Sequence, residues 1–282
     1  MLKSNRSLVH DPRPVGWMLL LVLMTAHSLR ASAYEWKPIG DVGHFATVTV
    51  SVDSTSAIVI HAARIETARA SVKVVSPYRE VRLRHTGSAA YSLRETAVLL
   101  KPLALINGGF SASLSVPIPA GLLVADNQVV ASLNAASRVQ TGVFCVATGR
   151  VSILRVVDYQ QASCSEAVQS GPVVVEKGGK IVVFRSETQQ PRYDRSLVAL
   201  DKKGRLLLLQ TSKASLFHLA TLLTKPESQG GFDVDVALNL SGDVESGLMV
   251  LAAGGGAVFG QADVPVASAI AVFPLRARRP RR

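Results

Sequence analysis

VDVALNLSGDVESGLMV, residues 234–250, sets two apolar runs on either side of a polar break containing two serines, two glycines and two carboxylates. Alternation from Val234 into Val236-Ala-Leu238 predicts a buried strand, and the Gly-rich polar punctuation at Ser241-Gly-Asp-Val-Glu-Ser-Gly247 predicts a tight loop at its end. Such a loop has two readings. Ser, Gly and Asp are common turn residues, so the break could simply reverse the chain. Loops held at strand ends by a rigid sheet also carry chemistry, and two carboxylates in seven residues suit a site.

The 282 residues, 48% hydrophobic, are enough for one large or two small domains with a substantial core. The first 33 read as a leader. Lys3, Arg6 and Arg13 precede the apolar run from Val15 to Ala26, and Ala31-Ser-Ala33 supplies small residues at a cleavage position. The run falls short of the roughly 20 residues that span a bilayer. Cleavage after Ala33 is therefore expected, with export to a periplasm or to the exterior, and an uncleaved N-terminal anchor is the alternative.

Of the formal net charge of +11, the leader carries three (Lys3, Arg6, Arg13 and Arg30 less Asp11) and the tail Arg276-Ala-Arg-Arg-Pro-Arg-Arg282 carries five, leaving three for the folded body. The charge is thus no nucleic-acid signature, and no aromatic platform is interleaved with it. Residues 275–282 read as a solvated tail. The tail's functional alternative is weak contact with an anionic envelope surface.

Cys145 and Cys164 are the two cysteines. In an exported chain they can pair, which is the favoured reading, and the alternative is two buried thiols. His44, His61, His85 and His218 are scattered without metal-ligand spacing, so no metal site is expected and no cofactor is identified.

Along the chain, residues 43–65 and 69–75 read as strands rich in Val, Ile and Thr. Ser92-Leu-Arg-Glu95 is a capping box ahead of a helix to about Leu100, and Ser215 can cap a second helix with Leu216, Leu219, Ala220 and Leu223 on one face. Short apolar runs at 121–125, 143–146, 173–176, 181–184, 197–200 and 206–210 add strands. Gly254-Gly-Gly256 reads as a turn, since no helix follows it. The fold class expected is α+β, a β-rich mixed sheet domain over residues 34–274 with a few helices.

Four stretches occur in a telling order: Asn107-Gly-Gly-Phe110, Pro119-Ala-Gly-Leu-Leu123, Gln169-Ser-Gly-Pro172 and Arg195-Ser196, the last opening a segment that ends at Asp201-Lys-Lys-Gly204. In this order the chain resembles the phosphodiester glycosidase domain family, over about residues 99–250. Its best-known member removes N-acetylglucosamine from a phosphodiester. The family pattern has Leu-Asp-Gly-Gly after an Asn-Leu strand. Here Asn239-Leu240 leads into Ser241-Gly242-Asp243, so Ser241 stands where the pattern has aspartate and Asp243 lies two residues on.

The resemblance implies an enzyme that hydrolyses a sugar from a glycosyl phosphodiester, and the leader places it outside the cytoplasm. Arg195 would pair with phosphate oxygens, and a carboxylate, Asp243 first and Glu245 second, would activate water or steady an oxocarbenium-like centre. Asn107, Gly108, Gly109, Gln169, Ser170 and Ser241 would bind the substrate, a glycan or glycosyl phosphate. Ser170 lacks a Gly-x-Ser-x-Gly elbow and an evident histidine, so a serine hydrolase is disfavoured. The rival from another class is a catalytically weakened carbohydrate-binding or envelope structural protein, and the residue that separates the two is Ser241.

Overall fold

The computed structural model describes residues 34–51, 57–76, 91–113, 117–160, 164–183, 191–252 and 255–275. The expected leader and the basic tail from Arg276 onward lie outside the described residues, as does Phe184 of the expected 181–184 run.

The described residues form three main sheets and two α-helices, with antiparallel pairing at every described register. The largest sheet runs β1 (Lys37–Ile39), β2 (Gly43–Ser51), β3 (Ala57–Ile65), β15 (Leu206–Ala214), β14 (Tyr193–Asp201), β16 (Val234–Asn239), β12 (Val173–Glu176) and β13 (Lys180–Ile181). A second has the order β10 (Arg150–Arg155), β9 (Gly142–Ala147), β11 (Glu166–Ser170), β7 (Leu123–Ala125) and β8 (Gln128–Ala131). The third is β18 (Gly255–Gly260), β17 (Gly247–Ala252), β6 (Ala104–Asn107), β20 (Ala269–Pro274) and β4 (Ala70–Val75). A two-stranded ribbon joins β5 (Tyr91–Ser92) to β19 (Pro265–Val266).

The three sheets share one core, which explains why the central strands are apolar on both faces. Val198, Leu208 and Leu238 of the first sheet meet Phe144 and Val168 of the second and Ile106, Val250 and Ile270 of the third. The opposite face of the first sheet is covered by α2 (Leu216–Thr224), whose Leu219, Ala220 and Leu223 pack on Val174, Leu197 and Leu209. The opposite face of the third is covered by α1 (Leu93–Leu100) through Leu93, Ala97 and Leu100.

Both helix starts follow the sequence. The Ser92 hydroxyl accepts from Glu95 N while the Glu95 carboxylate accepts from Ser92 N, and the Ser215 hydroxyl accepts from His218 N. Each such cap contributes about 1 kcal/mol by satisfying donors that a helix start leaves free. Among the described residues no helix is long and apolar enough to cross a membrane.

Cys145 on β9 and Cys164, just ahead of β11, are bridged, with Cα atoms 5.5 Å apart. Of the expected glycine turn, Gly254 lies outside the described residues, while Gly255 and Gly256 open β18. Their pairing with β17 makes them strand residues despite their composition.

The sheet order places the polar break at a crossing. β16 ends beside the middle of β14 (Leu197 opposite Asn239), and β17 begins beside the end of β6 (Leu248 opposite Ile106). Residues 240–246 therefore carry the chain from the first sheet to the third, past β14 and the end of β6.

Candidate active site

Asn107, fully buried at the end of β6, is the hub of that crossing. Its Nδ2 donates to the Ser241 carbonyl at 2.7 Å, while its Oδ1 accepts from the Ser196 hydroxyl at 2.6 Å and from Gly247 N at 3.1 Å. One amide thus ties β6 to β14, to the loop after β16 and to the first residue of β17. Ser196 Oγ also lies 3.1 Å from Ser246 Oγ, which accepts from Gln210 Nε2 at 3.4 Å. Each member is buried and each is paired, which is the condition under which a buried polar network fixes one geometry.

Gly108 continues the clamp. Its N–H donates to the Ser268 carbonyl at 2.8 Å and its carbonyl accepts from Ser241 N at 3.0 Å. A Cβ on Gly108 would meet Ser268 Oγ at 2.2 Å, and one on Gly109 would meet the Gln169 carbonyl at 2.4 Å. Close packing, not a positive φ, is what requires glycine at both positions.

Around the break, the Glu245 carboxyl is buried and accepts from two hydroxyls, Ser111 Oγ at 2.6 Å and Ser241 Oγ. Residues 243–245 form a single turn, closed by Ser246 N to the Asp243 carbonyl at 3.0 Å. Asp243 opens this turn with φ +54°, a conformation aspartate tolerates better than most residues, and its side chain faces solvent.

Arg195 lies against this loop. A Cβ on Gly242 would stand 3.9 Å from Arg195 Cδ and 2.8 Å from the Asp194 carbonyl. The guanidinium sits 5.0 Å over the Tyr193 ring and makes two long bonds, at 3.4 Å each, to the carbonyls of Ala214 and Pro191. Burial lowers its pKa from the ordinary arginine value, and Tyr193 and Asp243 oppose that shift. Even so lowered, an arginine stays cationic near neutrality. Among the described residues its partners are neutral carbonyls, a ring and the field of an exposed carboxylate, an arrangement that leaves guanidinium donors for an anion.

Gln169 and Ser170, expected to contact substrate, both lie buried in the protein. The Gln169 side chain is buried and fully engaged inside the protein: Oε1 accepts from Leu122 N and Asn134 N, and Nε2 donates to the Asn134 and Gln140 carbonyls. It staples β11 to the 120–140 segment. Ser170 is fully buried, and its hydroxyl has no hydrogen-bond partner among the described residues.

Asn107, Gly108, Arg195, Ser241, Asp243 and Glu245 are thus brought together, and Gly109 packs against Gln169 one step away. Four participants were not singled out from the sequence: Ser196, Ser246, Ser111 and Gln210. Ser196 and Ser246 stand inside quoted motifs and Ser111 directly follows Phe110, but a hydroxyl carries little signal until its partner is known. Among the described residues no three histidine, cysteine or carboxylate side chains are grouped as a metal ion requires.

The family model for phosphodiester glycosidases matches residues 101–273. No curated protein matches the sequence. Among solved structures, the chain is similar to the zebrafish N-acetylglucosamine-1-phosphodiester alpha-N-acetylglucosaminidase catalytic domain, auto-inhibited by its pro-peptide, with a TM-score of 0.60 and 17% identity over 86% of each chain. It is also similar to a hypothetical protein from Synechocystis, with a TM-score of 0.56 and 15% identity over 83% of this chain and 62% of that one. A protein from Burkholderia pseudomallei named for expected export gives a TM-score of 0.52 and 12% identity over 79% of this chain and 75% of that one. At these identities the likeness is one of fold.

Proposed function

The chain belongs to the phosphodiester glycosidase family, and on that premise we propose that it is an exported hydrolase that removes a sugar from a glycosyl phosphodiester. The observation that carries this reading is the contact of Arg195 with the 241–245 loop: a half-buried cation that has no carboxylate bond among the described residues lies beside a turn bearing two carboxyls.

The chemistry suits that pairing. Water adds to the anomeric carbon, the bond from that carbon to the phosphate oxygen breaks, and the electron pair leaves with a phosphate monoester. Such a leaving group is already an anion, so it needs charge neutralisation more than protonation. Arg195 provides this with guanidinium donors suited to two phosphate oxygens. A carboxyl of the 243–245 turn takes the water proton. Asn107 holds the loops in register and makes no claim on the substrate. Its amide is used within the protein.

The zebrafish relative acts on an N-acetylglucosamine phosphodiester by its name, so this sugar is the first to try. Export rests on the basic, apolar, Ala-Ser-Ala order of residues 1–33. The binding-protein alternative draws on Ser241, which stands where the family pattern has aspartate.

The test is incubation with a nitrophenyl phosphodiester of N-acetylglucosamine and chromatography of the products. The enzyme reading expects free sugar and nitrophenyl phosphate, with the rate falling at least about 100-fold in Arg195→Ala, the scale of losing a charge-stabilising donor. Sugar-phosphate binding without turnover would instead favour the binding protein.

A further inference from the structure

The 241–245 loop carries two carboxyls, and their settings differ. Asp243 is exposed, whereas Glu245 is only 4% exposed and is held by hydroxyls on both of its oxygens. Among the described residues it has no lysine, arginine or histidine within ion-pair distance. One of the two hydroxyls is that of Ser241, and that residue cannot move aside: its N–H is bonded to the Gly108 carbonyl and its own carbonyl to Asn107 Nδ2.

We propose that the space between the 107–111 and 241–245 loops holds a single carboxyl, that Glu245 supplies it from the turn, and that it acts through the Ser241 hydroxyl as a proton relay. The relay rests on the hydrolase reading; the single-carboxyl pocket does not. In the relay, the attacking water gives a proton to Ser241 Oγ as the Ser241 hydroxyl proton passes to Glu245 Oε2. The resulting hydroxide forms the bond to the anomeric carbon as the phosphate leaves, and Glu245 returns its proton to solvent after the products depart. Ser111 holds the other carboxyl oxygen, so the oxygen facing Ser241 is fixed. Ser241 is in this account a positioning and relay group, not a deleted aspartate.

The geometry makes a counterintuitive demand. An aspartate at 241 would put its carboxyl carbon about where Ser241 Oγ lies and its oxygens against those of Glu245. Two buried carboxylates in contact do not both ionise cheaply. Restoring the family residue alone should therefore harm this protein, and should be tolerated only when Glu245 is removed.

Four variants test this: Glu245→Gln, Ser241→Ala, Ser241→Asp, and the exchange Ser241→Asp with Glu245→Ser. Melting temperatures read the pocket without any substrate. Ser241→Asp should melt lower than wild type at pH 7, and the exchange should recover most of the loss. Kinetics on the sugar phosphodiester read the relay. Glu245→Gln and Ser241→Ala should each lower kcat about 100-fold with KM changed less than about threefold, and the exchange should exceed Ser241→Asp by at least about tenfold. If Glu245→Gln folds poorly, Ser241→Ala and the exchange still decide. Hydrolysis that Arg195→Ala abolishes but Glu245→Gln and Ser241→Ala leave intact would overturn the relay and keep the hydrolase reading. Wild type without hydrolysis would overturn reading and relay together. Ser241→Asp melting at or above wild type would overturn the single-carboxyl pocket.

Discussion

Ser196 and Asn107, 89 positions apart in the sequence, are joined in the core by a 2.6 Å bond from the serine hydroxyl to Asn107 Oδ1. Asn107 ends β6 and Ser196 lies within β14, and neither reaches solvent. The bond is where the first and third sheets are locked together beneath the 241–246 crossing, so the loop that carries the carboxyls inherits its position from Asn107.

Asn107→Ala should therefore act on stability as well as on activity. It removes one bond each from the Ser241 carbonyl, Gly247 N and the Ser196 hydroxyl, which keeps only Ser246 Oγ. The expected loss is on the order of 3 kcal/mol, because buried groups left unpaired cost about 1–3 kcal/mol each and the site can partly relax. Asn107→Asp keeps the two acceptor contacts but sets an oxygen against the Ser241 carbonyl. Urea unfolding should place it between alanine and wild type.

Glu166 predicts a pH dependence remote from the active loop. Buried on β11, it accepts from Val74 N at 3.0 Å and from Asp126 N at 3.4 Å, with Lys73 Nζ 3.7 Å from its other oxygen. Burial raises its pKa above the ordinary glutamate value, against the pull of the Val74 N–H and of Lys73. A raised carboxyl binds its proton more tightly folded than unfolded. Its contribution to stability is then fully present below the unfolded pKa and is lost as pH rises through the folded one. Stability of wild type should fall over that interval, and Glu166→Gln should flatten the fall. Denaturation midpoints taken from pH 4 upward measure it; an unchanged slope in the variant counts against this assignment.

The Cys145–Cys164 bridge closes a loop with a sequence separation of 19. Reduction, or Cys145→Ser with Cys164→Ser, should cost about 3 kcal/mol, the loop-entropy value for a closure of this size. Unreduced protein should show no free thiol by mass. Two free thiols there, or no change of stability on reduction, would contradict the pairing.

Much of this fold was legible because its signals are local. The Ser92/Glu95 capping box and the Ser215 cap lie within four residues of their partners, and the Val173–Glu176 run coincides with its strand. The 234–250 segment, too, broke where the strand does. The exposed partner strand β10 gave less: Arg150-Val-Ser-Ile-Leu-Arg155 is only half-buried, and its pairing with β9 through the turn at Thr148 and Gly149, both at positive φ, decides it. In the site, composition pointed to the 241–247 loop and put Asp243 ahead of Glu245, whereas the burial and hydroxyl partners of Glu245 were not readable from it. Those partners, Ser111 and Ser241, are 130 positions apart in the sequence. The four backbone bonds of the Gln169 amide were hidden for a related reason, since a glutamine beside glycines reads alike whether its amide faces a ligand or four backbone groups.

Export predicts a mature chain beginning at Tyr34. The domain holds the chain from that residue: the Tyr34 ring stacks on Phe232 with centroids 5.3 Å apart and its hydroxyl donates to the Gly230 carbonyl. Cleavage after Ala33 would leave this anchor whole. N-terminal sequencing of protein recovered from the native host should read Tyr-Glu-Trp-Lys, and an intact Met1 would argue for a retained anchor.

The most direct test of the central claim asks which bond is cut. Hydrolysis of the nitrophenyl phosphodiester of N-acetylglucosamine should be run in water enriched in oxygen-18, and the products should be weighed promptly, before the sugar exchanges its anomeric oxygen with solvent. A glycosidase cuts between the anomeric carbon and oxygen, so the label should enter the sugar and the nitrophenyl phosphate should stay unlabelled. Label in the phosphate product would mean attack at phosphorus, and would contradict the assignment of this chain as a phosphodiester glycosidase.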